Sequence, residues 1–137
     1  MEAHDHAVDM VIALNGAAQT LEELKSRTGI PDSDDLAAIH AIVLRSDRMG
    51  EEAAGRLRID GKAGDTVTMG YDFAMDSAQE LLTILTRSDD RRVLGCVARA
   101  YTFYLTAAAA ALTYEKLMAS RRSQAENDYL AYLKKEW

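Results

Sequence analysis

The sequence predicts a mainly α-helical protein with one β-hairpin in its first half. Three observations lead to this fold class. Apolar residues recur at helical spacing along most of the chain, residues 56–60 and 65–69 alternate polar with apolar side chains, and a long, nearly uncharged stretch follows in the second half. The alternative fold class is an all-α helical bundle.

A first helix is predicted over residues 7–14. Val8, Val11 and Ile12 lie on one apolar face of this helix at helical spacing. Residues 15–16 are Asn-Gly, a pair that either ends the helix or weakens it. The start of the next helix therefore decides how far the first one runs.

A second helix is predicted to begin at residue 20. Thr20 and Glu23 have the spacing of a capping box, in which the hydroxyl and the carboxylate each accept a hydrogen bond from a backbone N–H. This pair favours a new helix start. Gly29 supplies the left-handed conformation that ends the helix, and Pro31 keeps the residue before it extended, so the chain must turn there.

A third helix is predicted from Asp34 to about Arg48. Asp34 and Asp35 lie in its first turn, where carboxylates interact favourably with the helix dipole, and Ser33 or Asp32 can cap it. Its predicted buried stripe consists of Leu36, Ile39, Ile42, Val43 and Met49.

The order helix, turn, helix, hairpin matches a known domain. Residues 56–60 and 65–69 predict two strands around a glycine-rich loop. Together with residues 7–14 and 20–31, this hairpin resembles the N-terminal domain of winged helix-turn-helix transcription regulators. The resemblance covers about half of the chain. It implies that the third helix is a recognition helix and that the hairpin is the wing.

The second half is predicted to consist of long helices. The chain is accordingly divided into a winged helix-turn-helix-like region, residues 1–70, and a helical region, residues 71–137, within one compact unit. A helix of roughly thirty residues is expected to stop near residue 120. Ser123 and Glu126 form a capping box that predicts the start of a last amphipathic helix.

The long helix predicts self-association. Between Val93 and Leu112 the only charged residue is Arg99. A helix that is apolar around most of its girth must be buried on most sides, and a domain of this size cannot surround it alone. We therefore expect a homodimer formed through residues 90–118, with a monomer built around this helix as the alternative. A membrane span is not expected, because Arg99 is costly near the bilayer centre and alanine contributes little to insertion.

The charge distribution disfavours nucleic acid as a partner. The formal net charge is −6, and the whole excess lies in the first 70 residues, because residues 71–137 hold equal numbers of acidic and basic side chains. Affinity for phosphate depends on Lys and Arg, so this half of the chain would be repelled. The single cysteine, Cys96, and the lack of a visible secretory signal indicate a cytoplasmic location.

The resemblance places three aspartates where the family reads bases with the start of its recognition helix. Because phosphates repel aspartates, we expect a non-catalytic regulatory, adaptor or inhibitor protein that binds a protein partner with a basic surface. The predicted contact residues are Asp32, Asp34, Asp35, Lys62, Tyr129 and Trp137. The alternative is a dimeric DNA-binding transcriptional regulator, with contacts from Arg45, Arg48, Arg56, Arg58 and Lys62.

One acidic row has the chemistry of a metal site. Asp72, Asp76 and Glu80 lie on one helix face, as in helical metal-dependent hydrolases. No second acidic helix has matching spacing, so a solvated stripe is the preferred interpretation and the three carboxylates are weak metal candidates. The sequence also contains no glycine-rich phosphate loop or nucleophile elbow. It therefore predicts neither an enzyme nor a bound cofactor.

Overall fold

Four antiparallel helices build the protein in the computed structural model, which describes residues 3–60 and 63–136. The helices are α1 (Ala3–Thr28), α2 (Asp34–Asp60), α3 (Ala63–Arg87) and α4 (Arg91–Glu136). Short connections make consecutive helices run in opposite directions. α4 packs chiefly on α1 and α3, while α2 lies against α1 and α3 on the side away from α4.

The buried positions of α1 and α4 alternate at intervals of three and four residues. In α1 the repeat consists of Ala3, Ala7, Met10, Leu14, Ala17, Leu21 and Leu24, and Ala13 and Thr20 beside it are also buried. In α4 it consists of Val93, Val97, Ala100, Tyr104, Ala107, Ala111 and Tyr114, and Cys96 and Ala108 are buried as well. This seven-residue repeat favours nearly aligned helices that cross at about 20°. Many of the positions are alanine, so the two backbones can approach closely.

Two contacts define the antiparallel register of α1 and α4. Near one end, Nη2 of Arg27 donates a hydrogen bond to the buried Sγ of Cys96 at 2.9 Å. Further along, Gly16 lies under the ring of Phe103, so close that a Cβ at residue 16 would stand 2.6 Å from Cε1 of the ring. A step toward the N-terminus of α1 is thus matched by a step toward the C-terminus of α4.

α2 and α3 are joined by core packing and by two ion pairs. The predicted stripe of α2 is confirmed, because Leu36, Ile39, Ile42 and Val43 are buried and Met49 is partly buried against the core. Arg87 binds Asp35 at 2.8 Å and Arg45 binds Glu80 at 2.6 Å. Both pairs are partly exposed, so each contributes at most about 1 kcal/mol to stability.

The turn between α1 and α2 and the start of α4 follow local rules. Gly29 has a φ of 65°, as predicted for the residue that ends a helix. The hydroxyl of Ser33 accepts a hydrogen bond from the Leu36 N–H at 3.2 Å and caps α2. Asp90 caps α4 by accepting a hydrogen bond from the Arg92 N–H at 2.9 Å. Hydrogen bonds from Arg92 also hold the pKa of Asp90 below its ordinary value.

The predicted β-hairpin is wrong. Residues 56–60 form the end of α2 and residues 65–69 lie in α3, and no strand occurs in the described ranges. Thr66 and Val67 are neighbours and both are buried, as on the inner face of a helix and unlike the alternating faces of a strand. The winged helix-turn-helix fold class and its wing are therefore wrong, and the all-α bundle is confirmed.

The expected helix starts at residues 20 and 123 are wrong as well. α1 continues through residues 15–20, where the Thr20 hydroxyl donates to the Gly16 carbonyl at 2.8 Å instead of capping a new helix. α4 is unbroken for 46 residues. At these positions the backbone N–H groups bond to carbonyls of the preceding helical turn, so they need no capping box.

Candidate interaction surfaces

α4 is much longer than the helices it packs against. It contains 46 residues, whereas α1, α2 and α3 contain 26, 27 and 25. Leu117 and Met118 are its last residues that pack on the core. From Ala119 onward nearly every described side chain is exposed. We call residues 119–136 the projecting segment; at 1.5 Å per residue it extends about 27 Å beyond the bundle.

The projecting segment repeats the core spacing of α4. Tyr104 and Ala111 are buried and Met118 is partly buried, and Ala125 and Tyr132 follow in the same seven-residue phase. Tyr129, Leu130 and Tyr132 are 62%, 55% and 59% exposed. Tyr129 and Tyr132, together with the half-buried Leu133, form an apolar face. This face carries apolar residues at the same spacing as the packed part of α4, but no described residue of another helix covers it.

A second apolar surface lies between α1 and α4 on the outside of the bundle. We call this feature, with a volume of about 820 Å³, the α1/α4 groove. Its apolar lining includes Ile12, Ala13, Phe103, Ala109 and Ala110, and Asp9 and Arg99 also line it. Ile12 is 62% exposed and Phe103 is 39% exposed.

Threonines on the same side of α4 add no free donors to the groove. The hydroxyls of Thr102, Thr106 and Thr113 each donate to the carbonyl four residues earlier, at 3.1, 2.9 and 3.0 Å. Their hydroxyl protons are therefore used inside the helix. The groove is suited to an apolar helix face rather than to a polar small molecule.

The predicted acidic surface is partly neutralised by arginines of the bundle. Asp35 binds Arg87, and Asp32 lies 3.4 Å from Arg92. Asp34 is exposed beside them in the first turn of α2. The three aspartates thus lie close together at the start of α2, with compensating cations that the sequence did not predict.

The basic residues of the DNA-binding alternative do not form a described patch. Arg45 is bound to Glu80, which raises the pKa of its guanidinium, and Arg48 is exposed on α2. The side chains of Arg56 and Arg58 fall in the part of α2 for which only the backbone is described. Lys62, and likewise Trp137 of the predicted protein-binding set, lie outside the described residues.

The acidic row of α3 is not assembled into a metal site in the described part of the chain. Asp72 and Asp76 are exposed, and Glu80 is occupied by Arg45. No group of three or more histidine, cysteine, aspartate or glutamate side chains in the described ranges is placed to hold a metal ion. The row has the geometry of a solvated stripe with one ion pair.

A buried tyrosine in the described part of the interior has a strongly shifted pKa. Burial raises the pKa of Tyr104 to about 12, and the neighbouring Ser77 hydroxyl opposes this rise, although the two do not meet hydrogen-bond geometry. The Nε2 atom of His40 is also buried without a partner. Tyr104 is fully buried, so we expect its hydroxyl to affect the stability of the bundle.

α4 also meets the length and composition of a membrane span. It is the one helix among the described residues that does so, with a mean hydropathy of 1.3 over an 18-residue window of which 39% is buried in the bundle. The central helix of a bundle meets the same criteria. Length and composition alone therefore do not assign α4 to a membrane.

Comparison with known proteins does not assign a function to this chain, so its function is inferred from the geometry of its surfaces. No family model, curated protein or solved structure matches this chain. The sequence predicted Tyr129 of the projecting segment as a contact residue, but it identified neither the length of that segment nor the α1/α4 groove. The recurrence of core-type residues at 104, 111, 118, 125 and 132 is the signal that predicts the first of them.

Proposed function

We propose that this protein is a non-catalytic interaction protein that binds another protein chain through the projecting segment of α4. The observation that carries the proposal is the exposed aromatic face of Tyr129 and Tyr132 on a helix that continues past its own bundle. Exposed aromatic side chains on a rigid helix are typical anchors of protein interfaces. An amphipathic helix docked in an apolar groove is a recurring mode of recognition.

The energetics favour a covered segment. In proteins most of the stability of a helix comes from packing of its apolar face, and the projecting segment has no such packing within its own bundle. Burying the remaining exposed area of Tyr129, Leu130 and Tyr132 would stabilise the complex by roughly 1–2 kcal/mol for each side chain. A partner that covers this face therefore stabilises both the helix and the contact.

The acidic surface supports protein binding less strongly. Asp32 and Asp35 are paired within the bundle, so they offer less free charge to a basic partner than the sequence suggests. Ion pairs at the rim of an interface affect the association rate more than the affinity. We therefore place the principal contact on the projecting segment and give the aspartates a secondary role.

Photo-crosslinking tests the proposal. A benzophenone amino acid is placed at Tyr129 and, as a matched control, at Thr83, which is exposed on α3 away from both surfaces. In cell extract the probe at residue 129 is expected to form protein adducts well above those of the control. Equal labelling at the two positions, or capture of lipid alone at residue 129, contradicts the proposal.

A further inference from the structure

We infer that the α1/α4 groove receives the projecting segment of a second copy of this chain, so that two copies each hold the other's segment. This inference rests on the proposed function, because it names the partner of the same segment. It also gives a single explanation for two of the apolar surfaces that the bundle leaves uncovered.

A chain cannot fill its own groove. α4 is one unbroken helix, so the projecting segment continues straight away from the groove beside residues 99–113. Folding back would require a turn, and residues 91–136 are helical throughout. The segment that occupies the groove must come from a second copy.

The residues of the two surfaces come into register when the incoming segment runs antiparallel to the α4 that it contacts. Gly16 lies against Phe103, so Asp9, seven residues before Gly16, is level with Ala110, seven residues after Phe103, and both line the groove. On the incoming helix, Tyr129 lies seven residues after Arg122. If Arg122 of one copy is level with Asp9 of the other, Tyr129 is therefore level with Phe103, and two aromatic rings meet in the groove.

The charges agree in the same register. Asp9 and Glu22 lie thirteen residues apart on α1, and Arg122 and Lys135 lie thirteen residues apart on α4, a distance of about 20 Å in both helices. None of these four side chains takes part in an ion pair within the described part of the chain. Antiparallel docking makes Arg122 level with Asp9 at one end of the segment and Lys135 level with Glu22 at the other.

The arrangement closes into a dimer. Pairing residue 122 with residue 110, or residue 129 with residue 103, places a two-fold axis at residue 116 in both cases. The two contacts are therefore equivalent, and each copy gives one segment and receives one. A two-fold contact of this kind ends at two chains and does not continue into a fibre.

Charge reversal in the full-length purified protein tests this pairing. The wild type is expected to sediment as a dimer of 15.1 kDa chains. Reversal of one side, by Arg122→Glu with Lys135→Glu or by Asp9→Lys with Glu22→Lys, is expected to raise the dimer dissociation constant at least tenfold. Combining all four changes in one chain is expected to restore it to within about threefold, because the opposite charges meet again. Circular dichroism verifies that each variant remains helical.

The control is a double reversal of the same size elsewhere, Asp47→Lys with Glu52→Lys, on the exposed face of α2. It is expected to leave the dimer unchanged. In addition, the benzophenone at residue 129 is expected to label residues 99–113 of the second copy in the pure protein.

Three outcomes overturn the inference: a wild type that remains monomeric at high micromolar concentration, a fourfold variant that stays as weak as the two-site variants, and labelling of the second copy outside the groove. If residue 129 still captures another protein in extract while the pure chain is monomeric, the proposed function stands and the second copy is excluded as the partner.

Discussion

Replacing Tyr104 by phenylalanine is expected to stabilise the bundle. The Tyr104 side chain is fully buried, and its ring packs edge-to-face on Phe73 with centroids 5.8 Å apart. Its hydroxyl has no partner that meets hydrogen-bond geometry, although the Ser77 hydroxyl lies close enough to lower its pKa. An unsatisfied buried hydroxyl costs about 1–3 kcal/mol, and phenylalanine removes it while keeping the ring contacts. We expect the free energy of unfolding at pH 7 to rise by about 1 kcal/mol, near the lower end of that range.

The pH dependence of stability gives the same substitution a second signature. Burial raises the pKa of Tyr104 to about 12, whereas the ordinary value is 10.0. Between these pH values the unfolded chain releases this proton and the native state retains it, so stability falls as the pH rises from 10 to 12. A difference of about two pH units corresponds to roughly 2.7 kcal/mol. Because each titration is only half complete at its own pKa, the wild type is expected to lose about 2 kcal/mol more than Tyr104→Phe between pH 10 and pH 12.

Urea unfolding followed by circular dichroism measures both effects, provided that the slope with denaturant is the same for the two proteins. Ser77→Ala serves as the control, because it removes the neighbouring buried hydroxyl and leaves Tyr104 in place. This variant is not expected to reproduce the gain. Destabilisation by Tyr104→Phe at pH 7 would show that the hydroxyl is bonded. Parallel pH curves for the two proteins would show that it is not desolvated.

Three further predictions follow from the backbone, the core and the surface charge. Gly29→Ala is expected to lower the free energy of unfolding by about 1 kcal/mol, because Gly29 has a left-handed φ. Gly50→Ala, inside a helix with free space around it, is expected to raise it by up to about 1 kcal/mol. Opposite shifts in melting temperature test this pair. Leu81→Ala, at a fully buried position, is expected to lower the free energy of unfolding by about 2–5 kcal/mol. Leu130→Ala on the projecting segment is expected to change that of the monomer by less than about 0.5 kcal/mol. Similar losses for the two variants in urea titrations contradict the assigned burial. Random duplex DNA is expected to show no mobility shift with the protein even at low salt, and a shift that weakens steeply as salt rises would favour the DNA-binding alternative.

The turn between α1 and α2 can be predicted from sequence because its determinants are local. Gly29 requires no neighbour to adopt a left-handed φ, Pro31 restricts the residue before it, and the Ser33 hydroxyl reaches a backbone N–H three residues on. The buried stripe of α2 is equally local, because large aliphatic residues at helical spacing leave one choice of inner face.

The hairpin could not be excluded from sequence, because a run of five alternating residues fits both the two-residue period of a strand and the roughly 3.6-residue period of a helix. The first buried pair of α3, Thr66 and Val67, is recognisable as helical only once its packing partners are known. Apolar size was misleading in α1 for a similar reason. Val8, Val11 and Ile12 dominate its hydrophobic pattern, yet they are exposed, while the buried face contains alanines at residues 3, 7, 13 and 17.

The candidate site was predicted in part. Tyr129 was identified as a contact residue from its chemistry alone, and it is exposed on the projecting segment. The groove could not be predicted, because it joins Ile12 of α1 to Phe103 of α4 and depends on the antiparallel register of helices far apart in the chain. The ion pairs of Asp32 and Asp35 with arginines of distant elements were hidden for the same reason.

The alanine-rich contact between α1 and α4 restricts which substitutions the chain can accept. A larger side chain at Ala17, Ala100 or Ala107, all fully buried, would act as a wedge between two rigid rods. Because neither helix is interrupted, separating the two helices at one position would also weaken their packing at the positions above and below it. Sequence drift along this seam is therefore limited to exchanges that add no volume, even though alanine itself contributes little apolar area to the core.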